Sequence, residues 1–132
     1  MKQERKLVFK VMSKVLIIDD EEIVQRALAR AFSKFGHEVE VAADAFDGKR
    51  KWSSFEPDIV LLDILMPEKT GPEMLLEIKK ENKIGDCKIV LMSAFTGHFD
   101  SKNYKHKGAH MFIPKPFENV LEMVKSIEGL IE

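Results

Sequence analysis

The 132-residue chain has a single cysteine, Cys87, so no intramolecular disulfide can staple it. It lacks an excess of either charge sign: 21 Lys and Arg face 22 Asp and Glu, for a formal net charge of -1. That balance argues against a general affinity for nucleic acid and against an acidic solvating tail. No apolar run approaches the roughly 20 residues that cross a bilayer, and the N-terminus carries no signal-peptide pattern. Internal repeats, low-complexity tracts and Gly/Ser linkers are also missing. Together these absences predict one domain in a reducing cytoplasm, with residues 14–132 as the domain and 1–13 as an N-terminal extension. Neither a nucleic-acid partner nor a membrane partner is expected. Leu7, Val8, Phe9 and Val11 give the extension enough apolar character to dock, but a frayed tail is at least as good a reading.

What the chain does have is 45% hydrophobic and 33% charged residues, a mixture that buries a core and keeps a wetted surface. Three short runs are apolar at every position: Val15 to Ile18, Ile59 to Leu62 and Ile89 to Met92. Aliphatic runs this short fit strands covered on both faces, as in a parallel sheet between helices. Glu38 to Ala42 and His110 to Ile113 are weaker strand candidates. Apolar residues at intervals of three and four mark the helices between them: Val24, Leu28, Ala31 and Phe35, ended by Gly36; Met74, Leu75 and Ile78; and Phe117, Val120, Leu121, Val124, Ile127 and Ile131. Residues 44–54 read as a further short helix, whereas Thr96 to Lys107 has little apolar stripe. Alternating strands and helices predict an α/β fold, a doubly wound five-stranded parallel sheet with helices on both faces.

In such a sheet, ligands bind at the carboxyl ends of the strands. The residues there are Asp19, Asp20, Asp63 and Ser93, with Lys115 after the last strand. Any one of them taken alone would be a helix cap or a surface lysine. Their convergence on one edge argues for chemistry. Carboxylates about 4 Å apart repel by about 4 kcal/mol per pair at an effective dielectric near 20, so a cation is expected. Hard carboxylate oxygens suit Mg²⁺, which commonly completes its shell with phosphate oxygens. Lys115 and the Ser93 hydroxyl would then each serve a phosphoryl oxygen.

Four motifs in order, Val15 to Glu21, Leu61 to Pro67 with Gly71 following, Leu91 to Ala94, and Gly108-Ala109 leading into Pro114 to Phe117, make the sequence resemble the receiver domain of two-component response regulators. The resemblance runs from Lys14 to the C-terminus and implies a flavodoxin-like receiver fold. It implies that Asp63 is the phosphoacceptor, that Asp20 binds Mg²⁺ or Mn²⁺ directly and Asp19 through water, and that the Leu65 carbonyl completes the protein ligands. Ser93 and Lys115 would contact the phosphoryl group, Ser93 and Phe112 would form the switch, and the Lys115-Pro116 bond would be cis. Leu65 and Phe95 hold positions that flank the path of the hydrolytic water, and so would tune the lifetime of the phosphoryl group. The implied partners are a sensor histidine kinase or phosphotransfer protein upstream. A downstream protein would bind at the fourth helix, fifth strand and fifth helix, bordered by Lys102, Lys105 and Lys107. No effector segment follows the last helix, so the output is expected to leave through this surface. The sequence departs from the family pattern mainly between Phe95 and Lys107.

The implied activity is self-catalysed phosphorylation and dephosphorylation rather than turnover. An Mg-dependent haloacid-dehalogenase-like phosphatase is the enzyme alternative, but its DxD pattern after the first strand is broken by adjacent Asp19 and Asp20. A flavin binder would need a hydroxyl- and glycine-rich loop where this one is acidic. An unphosphorylated docking scaffold is disfavoured because each phosphoryl-transfer position is filled. His37, His98, His106 and His110 show no metal-ligand spacing with Cys87 and read as surface or packing residues.

Overall fold

The computed structural model describes residues 13–94 and 108–131. Ser13 is therefore the only described residue of the extension. Phe95, the Thr96 to Lys107 segment and its three lysines lie outside the described residues.

The elements follow in the order β1 (Lys14–Ile18), α1 (Glu22–Lys34), β2 (Glu38–Ala42), α2 (Ala45–Phe55), β3 (Ile59–Asp63), α3 (Gly71–Lys80), β4 (Lys88–Ser93), β5 (Met111–Pro114) and α4 (Val120–Glu128). A short 3-10 turn over Gly129–Ile131 ends the described chain. All strand pairs are parallel, in the order β2-β1-β3-β4-β5.

The three wholly apolar runs became the central strands, and they are buried on both faces. Alternation along each strand divides the core into two layers. Leu16, Ile18, Val60, Leu62, Ile89 and Leu91 face α2 and α3, where Trp52, Phe55, Met74 and Ile78 meet them. Val15, Ile17, Ile59, Leu61, Val90 and Met92 face α1 and α4, against Leu28, Phe32, Val124 and Ile127. β2 and β5 stand at the sheet edges and are only partly covered, which is why their sequence signals are weaker.

Local chemistry sets the helix ends. Gly36, at φ 91, follows α1 and donates its amide to Ser33 at 3.0 Å, a left-handed turn that glycine adopts without a Cβ penalty. Asp44 and Asn119 cap α2 and α4 through their side chains. Thr70 and Glu73 form a reciprocal capping box at the start of α3.

Two sequence boundaries shift. The last strand begins at Met111, because the His110 amide donates to the Ile89 carbonyl at 2.8 Å and its Nδ1 accepts from the Ile89 amide at 3.1 Å, fastening the strand entrance. The last helix begins at Val120, since the Asn119 cap lies after Phe117; Phe117 packs on the α1/α4 layer from outside the helix. His37 is buried, with Nε2 2.7 Å from Glu128 Oε2. Cys87 is buried too, and burial first of all pushes its thiol up to about 12, which leaves it unreactive near neutrality.

Candidate functional site

The strand order reverses between β1 and β3, and a crevice at such a switch point collects whatever ends those two strands. Here they end on acids. Asp19 follows β1, Asp63 is the last residue of β3, and carboxylate oxygens of Asp19, Asp20 and Asp63 all lie within 4.8 Å of one another. Asp19 and Asp63 are buried, while Asp20 is exposed.

Hydrogen bonds fix the chain at Asp19 and next to Asp63. The Asp19 amide donates to the Ala42 carbonyl at 3.0 Å. Its Oδ1 accepts from the Glu21 amide at 2.9 Å, and its carbonyl accepts from Gln25 Nε2 at 2.6 Å. Below Asp63, the Ile64 amide donates to the Met92 carbonyl at 2.9 Å, which carries the β3/β4 ladder one residue further. The Gly71 amide returns to the Ile64 carbonyl at 2.9 Å. A Cβ at Gly71 would stand 2.5 Å from the Asp63 carbonyl oxygen, so α3 approaches the site as closely as glycine allows.

Lys115 enters from the far side of the sheet. Its amide donates to the Ser93 carbonyl at 2.9 Å, and the Lys115-Pro116 bond is cis. Its Nζ lies 2.6 Å from Asp19 Oδ2, 3.1 Å from Glu21 Oε1 and 3.5 Å from Asp63 Oδ2. Burial works against this ammonium, but the Asp19 hydrogen bond and the Asp63 and Asp19 charges outweigh it and raise its pKa. Asp63 is in the opposite position. Burial, then the Asp19 charge, push its carboxyl up to about 7, against the Lys115 charge and a hydrogen bond from the Leu65 amide. A cluster of hard oxygen donors with one carboxyl displaced this far by burial and like charge fits a divalent cation, whose charge would relieve both.

The structure thus brings together Asp19, Asp20, Asp63 and Lys115. Ser93 is buried at the end of β4, linked to Lys115 through its carbonyl. Phe112 is half-buried on β5 against the α2/α3 layer. The Leu65 side chain is exposed, whereas its amide serves Asp63. Phe95 lies outside the described residues. Glu21 and Gln25 received no role from the sequence; their adjacency to the Asp19-Asp20 pair, at the first turn of the helix leaving that strand, was the available signal.

Comparison with known proteins agrees with this geometry. A family model described as the response regulator receiver domain matches residues 15–128. Protein PilG of Pseudomonas aeruginosa is 30% identical over 115 residues, 86% of this chain and 85% of that protein. The DNA-binding transcriptional regulator NtrC of Azospirillum brasilense is 29% identical over 114 residues, but this chain spans only 23% of its length. Among solved structures, the chemotaxis protein CheY4 of Vibrio cholerae superposes with a TM-score of 0.81 at 26% identity, covering 90% of this chain and 98% of that one. A CheY-like receiver domain protein from Methanospirillum hungatei gives 0.79 at 26% identity, covering 91% and 94%. A match that spans nearly the whole fold and includes every strand of the acidic edge places the chain in the response regulator receiver domain family.

Proposed function

We propose that the protein accepts a phosphoryl group on Asp63, from a phosphohistidine of a sensor kinase or phosphotransfer protein, and converts it into a change of binding surface. The observation that carries this reading is the shared Lys115 ammonium, which spans the Asp19 and Asp63 carboxylates on the acidic edge. An Asp63 carboxylate oxygen attacks phosphorus, and the bond from phosphorus to the donor nitrogen breaks with its electron pair left on the imidazole. Lys115 moves to the transferred group, and the Ser93 hydroxyl donates to another of its oxygens. Asp20 and Asp63 directly, Asp19 through water, and the Leu65 carbonyl would hold Mg²⁺ or Mn²⁺. Such an ion offsets the repulsion between phosphoryl oxygens and the acids.

This is a switch rather than a turnover enzyme, and the family assignment leaves the phosphatase and scaffold alternatives without support. Leu65 and Phe95 hold positions that in the family flank the path of the hydrolytic water, and two apolar side chains there would disfavour an ordered attacking water and lengthen the life of the acyl phosphate. Residues 14–132 act as the signalling unit. Output passes from Ser93 to Phe112 and so to the face of the family's fourth helix, fifth strand and fifth helix, the last two being β5 and α4 here, where the downstream protein docks. No helix among the described residues is long and apolar enough to cross a membrane; a cytoplasmic setting follows from the reading as a kinase-fed module.

Acetyl phosphate with Mg²⁺ should add one phosphoryl group to the intact protein by mass spectrometry, and neither Asp63→Asn nor EDTA-treated protein should accept it. Equal labelling of the parent and Asp63→Asn would overturn the assignment.

A further inference from the structure

Lys115 has three ammonium protons and three carboxylate neighbours, and the neighbours are unequal. Asp19 is buried and holds the ammonium at 2.6 Å; Asp63 is buried and is the most distant, at 3.5 Å. Between them comes Glu21, whose side chain is 61% exposed, at 3.1 Å. Glu21 occupies the N-cap position of α1, where short side chains such as Asp or Ser accept from the free amides of the first turn. Among the described residues, its side chain caps none of these amides. It reaches instead over the acidic edge to the lysine. Its own backbone amide meanwhile fixes Asp19 Oδ1 at 2.9 Å, so one residue fastens both partners of the buried ion pair.

We propose that Glu21 is a positioning residue that tethers Lys115 on the Asp19 side, and that phosphorylation must break this tether. The inference rests on Asp63 being the phosphoacceptor. A phosphoryl group on Asp63 draws the ammonium, now 3.5 Å from Asp63 Oδ2, toward its oxygens and away from the two acceptors it is hydrogen-bonded to, Asp19 and Glu21. The solvated carboxylate of Glu21 loses least by being released, since water replaces the lysine there. Glu21 therefore stabilises the unphosphorylated state, and its removal favours phosphoryl transfer.

Two substitutions separate a tether from a simple field effect. Glu21→Gln removes the charge; Glu21→Asp keeps it but shortens the side chain by one methylene, out of reach of Lys115. The first readout is the initial rate of labelling by acetyl phosphate at saturating Mg²⁺. A tether predicts that both variants are faster by about two- to fivefold, the ratio that a partly exposed ion pair supplies. A Glu21→Asp rate equal to the parent would overturn the tether and leave only repulsion of the anionic donor, and slowing in both variants would equally overturn it. The second readout needs no phosphodonor: the ¹⁵N and ¹H resonances of the Lys115 ammonium in the unphosphorylated protein should shift in both variants. An unmoved signal in Glu21→Asp would overturn the tether. If the parent itself takes up no label on Asp63, the phosphoacceptor reading fails, and the ammonium resonances still decide whether Glu21 holds the lysine.

Discussion

Asp63 is the residue at which burial and function oppose each other most directly. Burial first, then the Asp19 charge, push its carboxyl up to about 7 from an ordinary value of 3.8. The native state therefore holds the proton more tightly than the unfolded chain does. Stability contributed by this proton is full below pH 3.8 and is lost as the pH rises toward 7. A difference of this size corresponds to at most about 4 kcal/mol, and movement of Lys115 toward the charged form reduces it. Asp63→Asn carries no such titration. In EDTA, the unfolding free energy of Asp63→Asn minus that of the parent should grow by about 2 kcal/mol between pH 5 and pH 8. Urea titrations at the two values check this, and a constant difference would contradict it. The identities of Asp19, Asp20, Asp63 and Lys115 were legible in the sequence because Asp63 ends a strand, Asp19 and Lys115 directly follow one, and Asp20 comes next after Asp19. The sharing of one ammonium among three carboxylates was not, because it depends on how far β1, β3 and β5 stand apart.

At the scale of elements, α3 shows how a helix start can be fitted to a site. Its capping box fixes where the helix begins, and Gly71 lets that beginning press on the Asp63 backbone. Gly71→Ala would place a methyl group 2.5 Å from the Asp63 carbonyl oxygen, which the rigid β3 backbone cannot easily relieve. We expect a loss of about 1–3 kcal/mol in stability and slower labelling on Asp63. Thermal unfolding combined with the acetyl phosphate assay measures both, and an Ala variant with parental stability and rate would show that α3 yields freely. Apolar periodicity located the helices and central strands well, because burial on one or both faces leaves a repeat. It misplaced Phe117 because periodicity registers packing and not chain direction: that ring joins the core from the loop, ahead of the Asn119 cap. His110 failed for a related reason, since its contribution to the strand entrance is a ring nitrogen paired with a backbone amide.

The whole molecule is a sheet with two separately packed layers, and the site lies where both meet its carboxyl edge. A change at Ser93 and Lys115 is connected to β5 by the Lys115 amide bond to the Ser93 carbonyl, whereas the hydrogen bonds from α1 to the site, among the described residues, come from its N-cap and first turn. Beryllofluoride with Mg²⁺ should therefore shift the amide resonances of Ala94 and of residues 108–113 more than those over the last three turns of α1. Comparable shifts along α1 with none in β5 would place the output elsewhere. The same division gives the molecule a built-in optical label. Trp52 is the only tryptophan, and it is 3% exposed within the α2/α3 layer, on the opposite side of the sheet from α1 and α4. Its indole is shielded from water while that layer is intact and wetted when it opens. Intrinsic fluorescence thus reports on one half of the core without any attached dye, and circular dichroism, which weighs every helix, reports on both. Coincident curves from the two would show that the layers melt as a single cooperative unit.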